Sequence, residues 1–89
     1  MTKRAECLAK AQDLVLGDRD KTYSGPRNNF TCIAALWSSY HGACFSTADV
    51  AIMLTLVKIS RLKKTEDHED SWIDIAGYAA CGMEVTSDE

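Results

Sequence analysis

The sequence predicts an all-α protein, a small four-helix bundle completed by dimerisation. Helix start and stop signals divide the chain into four segments, apolar residues recur at helical spacing in them, and no stretch alternates as a strand would. The 89 residues leave room for a single domain, residues 1–89. Hydrophobic residues make up 46% of the chain. So much apolar surface in a small domain leaves some to share with a second copy, most simply as a two-fold dimer.

The first two predicted helices are separated by the clearest loop of the chain, residues 17–26. The first helix spans residues 2–16 and ends at Gly17. The second begins near Pro26, which suits a first helical turn, and runs to about residue 41. Their predicted core stripes are Leu8, Ala11 or Gln12, Val15 and Leu16 on the first helix, and Phe30, Ile33, Ala34, Trp37 and Tyr40 on the second.

The third helix, residues 49–62, is predicted to be the centre of the bundle. Ser46 and Asp49 form a capping-box pattern at its start. Its apolar residues point in nearly every direction, which is typical of a helix buried from several sides. The uninterrupted apolar stretch is too short to span a bilayer, so no membrane partner is expected.

A fourth helix is predicted from about residue 70 to 83, with a second capping box at Ser71 and Asp74. Gly77 within it removes a side chain where another helix could approach closely. We expect Trp72, like the other large aromatic side chains, to lie in the core. His68, in an acidic turn, is expected to be solvated. The four cysteines are predicted to be buried, reduced thiols, because their wide spacing indicates no disulfide framework.

Two cations on the third helix are the main functional clue. By helical geometry Lys58 lies between the directions of Leu54 and Leu62, and Arg61 between those of Val50 and Leu54. A cation on an apolar flank needs a carboxylate partner or an anionic ligand, because a buried unpaired charge is costly. An internal salt bridge and a ligand site both satisfy this requirement.

The loop before the second helix collects hydrogen-bond donors. Lys21, Arg27 and the first backbone amides of that helix could hold a phosphate. Tyr23 could stack on a base or ribose, and Asn29 could bond to it. A polar loop whose Asn residues cap the helix is the structural alternative.

Paired carboxylates on the fourth helix, Asp70 and Asp74, could ligate Mg²⁺ together with substrate phosphates. Asp70 could instead cap the helix, and Asp74 could pair with Lys58 or Arg61. No catalytic residue is predicted, since neither histidine stands in a nucleophile motif, and zinc is not expected.

Several segments resemble a family of small helical proteins encoded by bacteriophages and prophages. They are residues 20–25 (DKTYSG), 29–30, 33–37 (IAALW), 49–51, 58–61 (KISR) and 70–79 (DSWIDIAGYA). The chain is also distantly similar to the MazG-type all-α nucleotide pyrophosphohydrolases, which oligomerise and hold Mg²⁺ with a Glu-x-x-Glu helix and a Glu-x-x-Asp helix. Here the third helix has Asp49 followed by cations, and the fourth offers two aspartates. The resemblance therefore implies a MazG-like fold and nucleotide binding more than hydrolysis.

These observations predict a phage protein that binds a nucleotide or another phosphorylated small molecule without robust catalysis. The predicted ligand contacts are Lys21, Tyr23, Arg27, Asn29, Lys58, Arg61, Asp70 and Asp74. The alternative is an inhibitor of a host defence complex that acts through its acidic surface, and a third possibility is a Mg²⁺-dependent pyrophosphohydrolase. No secretion signal is evident, so the expected location is the host cytoplasm. The net charge of −3 argues against nonspecific binding of duplex DNA.

Overall fold

A computed structural model describes residues 2–17 and 25–87, which form four helices and no strand. The all-α prediction is confirmed for this part of the chain. The helices are α1 (Lys3–Leu16), α2 (Pro26–His41), α3 (Thr47–Lys64) and α4 (Glu69–Val85).

Two of the predicted signals at the helix ends, the Ser46–Asp49 box and Gly42, are confirmed. The Ser46 hydroxyl accepts a hydrogen bond from the Asp49 amide at 3.1 Å, and the Asp49 carboxylate accepts one from the Ser46 amide at 2.9 Å. This reciprocal pair satisfies two amides that the helix leaves without partners. Gly42 ends α2 with a φ of 83°, a left-handed conformation that glycine adopts without a steric cost. The predicted capping box of α3 and the predicted end of α2 are therefore confirmed, although α3 begins at Thr47, two residues earlier than predicted.

The second predicted capping box is wrong. Helix α4 starts at Glu69, after His68, and no side chain caps it among the described residues. Ser71 is fully buried, and its hydroxyl lies 2.7 Å from His68 Nδ1. This contact partly buries His68, which was expected to be solvated. Because the helix begins at Glu69, Ser71 and Asp74 lie inside it and cannot form a box at its start. Asp74 instead pairs with Lys58.

Helix α4, rather than α3, is the centre of the bundle. It packs against each of the other three helices, whereas α3 packs mainly against α2 and α4. Residues 75–83 of α4 include five Ala or Gly residues and no charge, so neighbouring backbones can approach it closely. The main core cluster consists of Phe30, Ala34, Val50, Ala51 and Val85. The prediction that α3 is buried from several sides holds where α2 and α4 cover it, but its outer side remains exposed.

Several residues predicted to be buried lie at the surface. Tyr40 is 94% exposed, although Phe30 and Ala34 of the same stripe are buried. Trp72 is 51% exposed, and its indole N–H donates to the Glu66 carbonyl at 2.8 Å. The other large or reactive side chains found exposed against expectation are Leu8, Leu16, Cys32 and Cys44. None of the four cysteines forms a disulfide. Periodicity places these side chains on a face but does not supply the element that would cover it.

Candidate functional site

A cleft of about 370 Å³ opens between the helices. Its volume lies at the lower end of the range for small-molecule pockets, and its walls are mostly apolar with a few polar groups, as such pockets usually are. The residues that give it its character are Asn29, Phe30, Leu54, Lys58, Asp74 and Tyr78.

Lys58 and Asp74 meet inside this cleft. The Lys58 ammonium lies 2.9 Å from the Asp74 carboxylate, and the two side chains are only 22% and 28% exposed. The pair joins α3 to α4 and places a donor and an acceptor on an otherwise apolar wall. The internal salt bridge, one of the two alternatives predicted for Lys58, is therefore present, and it lies within the cleft.

The beginning of α2 lies at the same cleft. Gly25 is its N-cap and, with Pro26 and Asn29, lines the cavity. Gly25 has no side chain to accept from the first-turn amides, and the first turn of α2 carries no acidic residue. The positive end of the helix dipole therefore adds to the Lys58 charge, which makes this end of the cleft suitable for an anion.

Arg27 lies outside the cleft lining and has another role. Its guanidinium donates to the carbonyls of Glu84 and Ser87, at 2.8 and 3.1 Å, and so caps the C-terminal end of α4. A cation is favourable at that end of a helix because the last carbonyls lack amide partners.

The remaining predicted ligand contacts are dispersed. Arg61 is exposed, so the expectation that an apolar flank encloses it is wrong, and no carboxylate of the described chain lies within 4 Å of it. Asp70 is also exposed and does not line the cleft. Lys21 and Tyr23 lie outside the described residues. Of the eight predicted contacts, the cleft brings together Asn29, Lys58 and Asp74.

Tyr78 and Cys81 line the cleft but were absent from the predicted contacts. They follow Asp74 by four and seven residues, so all three lie on one face of α4. That spacing was visible in the sequence. The sequence did not show, however, that this face of α4 lines a cavity.

A metal centre has little support in the described chain. No group of three or more His, Cys, Asp or Glu side chains is arranged to hold an ion there. Asp74 is engaged by Lys58, and Asp70 points elsewhere than the cleft. A site for catalytic Mg²⁺ needs several oxygen ligands in one place.

Fold and cleft together define a small all-helical protein with a polar pair set among apolar side chains. The chain belongs to the family described as a domain of unknown function, DUF6378, whose model matches residues 6–86.

Two relatives are phage proteins. The Gene 55 protein of Mycobacterium phage D29 is 49% identical over 74 residues, which cover 83% of this chain and 49% of that protein. The Gene 55 protein of Mycobacterium phage L5 is 38% identical over 85 residues, covering 92% and 54% respectively. The chain thus spans about half the length of these relatives. No solved structure matches it, and no helix of the described residues is long and apolar enough to cross a membrane.

Proposed function

We propose that this protein binds a phosphorylated small molecule, such as a nucleotide, in the cleft beside Lys58. The observation that supports this most directly is that Lys58 and the N-terminus of α2 line the same cavity. A phosphoryl group there would contact both the positively charged Lys58 ammonium and the positive end of the α2 helix dipole. The apolar walls and Tyr78 would accommodate a base or sugar.

Asp74 competes with the ligand for Lys58 in this proposal. In the free protein the carboxylate neutralises the ammonium at 2.9 Å. An arriving phosphate would displace or share that interaction, so part of the binding energy would be lost in loosening the pair. Removing the Asp74 charge should therefore strengthen phosphate binding instead of weakening it.

Isothermal titration calorimetry against a panel of nucleotides and inorganic phosphate, with and without Mg²⁺, tests the proposal. We expect K58Q to lose at least about tenfold in affinity, equivalent to ~1.4 kcal/mol, and D74N to gain affinity. K64Q is the matched control, because Lys64 is an exposed lysine of the same helix outside the cleft. Absence of binding to every panel member, or equal losses in K58Q and K64Q, would overturn the proposal.

The same variants separate binding from hydrolysis. A MazG-type pyrophosphohydrolase would need Asp74 as a metal ligand, so pyrophosphate release would disappear in D74N. The proposed binding protein keeps or increases its affinity in that variant. The proposal thus keeps the nucleotide binding that the MazG-type resemblance implies and does not include pyrophosphate hydrolysis.

A second candidate function is protein binding through an acidic surface. Glu66, Asp67 and Asp70 are exposed, and no cation of the described residues forms an ion pair with them. The half-exposed Trp72 lies among them, and exposed tryptophans are enriched at interface hot spots. Such a surface could occupy a basic, nucleic-acid-facing site of a host defence complex.

Charge changes discriminate the two candidates in a functional assay such as phage growth on a defended host. The small-molecule proposal predicts that K58Q loses function and that D67K retains it. The inhibitor proposal predicts the reverse, because Lys58 faces the cleft and Asp67 the acidic surface.

We also propose that the chain works as a homodimer. Its third helix leaves Ile52, Leu56 and Val57 more than half exposed, and a small domain commonly shares such apolar surface with a second copy.

A further inference from the structure

The outer side of α3 is an exposed apolar face without charge. Over residues 50–60 the helix has one charged residue, Lys58, and that side chain turns inward to Asp74. The exposed apolar residues are Ile52, Met53, Leu56, Val57 and Ile59, with exposures from 38% to 62%. An uncharged apolar face over three helical turns is unusual on a monomer and marks an interaction surface.

The spacing within this face is that of a coiled-coil seam. Ile52, Leu56 and Ile59 are separated by four and three residues, and the same alternation continues to Asp49 on one side and Lys63 on the other. All five positions therefore lie along one stripe of α3. The stripe is apolar in the middle, acidic at its N-terminal end and basic at its C-terminal end.

This stripe is complementary to itself when reversed. Asp49 and Lys63 are each seven residues from Leu56. If two copies of α3 pack antiparallel with a two-fold axis at Leu56, each Asp49 meets the Lys63 of the other copy at both ends. A parallel arrangement would place like charges together, which is unfavourable. The charge pattern thus favours a second copy over an unrelated partner.

We propose that α3 forms an isologous, antiparallel homodimer interface centred on Leu56. Ile52 and Ile59 of one copy pack against Ser60 and Met53 of the other, and two Asp49–Lys63 ion pairs close the ends. The Asp49 capping role leaves one carboxylate oxygen for this pair, since the cap bond to the Ser46 amide uses the other.

The interface and the cleft lie on opposite sides of α3. Leu54 and Lys58 line the cleft, whereas Leu56 lies on the outer side. Dimerisation would therefore leave the cleft open, and each proposal can fail without the other. A dimer-breaking variant of the outer face should keep the ligand affinity of the wild type.

Sedimentation velocity and light scattering test the interface. The wild type is expected at twice 9.8 kDa, and L56E and I52E at the monomer mass with unchanged helical circular dichroism, since both positions are exposed in the monomer. L36E is the matched control, because Leu36 is an exposed leucine of α2 outside this face, and it should remain dimeric. A monomeric wild type, or a dimer that persists in both L56E and I52E, would overturn the proposal.

The antiparallel register has its own test. K63E should raise the dimer dissociation constant by about tenfold at low salt, since it places two like-charge pairs in the interface. K64E introduces the same charge change one residue away and off the stripe, so it should have a much smaller effect. Equal effects of K63E and K64E would contradict the antiparallel arrangement.

Discussion

Gly77 of α4 lies directly against Val15 of α1. A Cβ built on Gly77 would come within 3.2 Å of Val15 Cγ1, closer than side chains ordinarily pack. The sequence-based prediction of a close helix approach at Gly77 is therefore confirmed, and the approaching helix is α1. Glycine at this position lets α1 reach the helix around which the bundle is built.

We expect the G77A substitution to increase the free energy of unfolding only when Val15 is replaced by a smaller residue. G77A should improve helix propensity by about 1 kcal/mol, but in the wild type the contact with Val15 offsets that gain. In a V15A background the methyl group has room, so G77A/V15A should be more stable than V15A in urea denaturation. The contrasting variant is G82A, whose Cβ would lie 3.3 Å from the Cβ of Ala51. Ala51 cannot rotate away, so G82A should destabilise. Equal effects of G77A in both backgrounds would contradict this account.

The Lys58–Asp74 pair should behave as a half-buried pair in a double-mutant cycle. K58M and D74N should each reduce the free energy of unfolding by about 1–3 kcal/mol, because each leaves a partly buried group without its partner. The double variant K58M/D74N should lie closer to the wild type than the two single losses predict, since it leaves no unpaired charge. Urea denaturation measures all four proteins, and K64M reports the effect of removing an exposed lysine. Strictly additive losses would show that the two groups are not coupled.

Arg27 should contribute to stability through the end of α4. R27Q removes the guanidinium from the Glu84 and Ser87 carbonyls, so the last turn of α4 should fray, with a loss of about 1 kcal/mol. Faster amide exchange confined to residues 82–86 is the expected signature. R27K should recover only part of the loss, because a flexible ammonium lacks the rigid planar geometry with which Arg27 Nη2 donates to both carbonyls. Unchanged exchange in R27Q, combined with lost nucleotide affinity, would instead assign Arg27 to ligand binding.

The N-terminal helix should show a pH-dependent contribution from Glu6. Lys10 and Lys3 donate to its carboxylate at 3.0 and 3.3 Å, and they lower the pKa of Glu6 from its ordinary value of 4.5. A lowered pKa in the folded state contributes stability above the unfolded pKa, and this contribution is lost as the pH falls through the folded pKa. The difference in Tm between wild type and E6Q should therefore be complete well above pH 4.5 and be lost as the pH falls through the lowered pKa of Glu6.

At high pH, the stabilising contribution of these ion pairs depends on Lys3 and Lys10 remaining protonated. Bonding to Glu69 and Glu6 raises the pKa of Lys3 above 10.5, and bonding to Glu6 raises that of Lys10. Their contribution is complete below pH 10.5 and is lost as the pH rises through the raised values. Because these groups are exposed, added salt should shrink the effect at any pH. E66Q is the control variant. If its difference in Tm from the wild type equals that of E6Q at every pH, the ion-pair explanation is ruled out.

The accuracy of the sequence-based predictions depended on the range of the interactions involved. Helix existence and the α2 bounds followed from residues three or four apart, as did the Ser46–Asp49 cap, so these could be read from the chain alone. The second predicted capping box was wrong because α4 begins at Glu69, two residues before Ser71, and Ser71 is buried inside the helix. Lys58 and Arg61 looked equivalent on the helical projection, yet one is half-buried and the other exposed, because α4 covers only one of their directions.

The sequence by itself determined four helices, their approximate ends, one capping box, the glycine at the close helix contact and the apolar character of α3. Those features depend on local backbone hydrogen bonding and on side-chain spacing within single helices. Tertiary structure alone decided that α4 lies at the centre, that Asp74 faces Lys58 across a cleft, and that Arg27 caps α4. It also decided which apolar face of α3 stays exposed. Burial and pairing are properties of two elements at once, and the direction in which one helix meets another is not encoded in either helix alone.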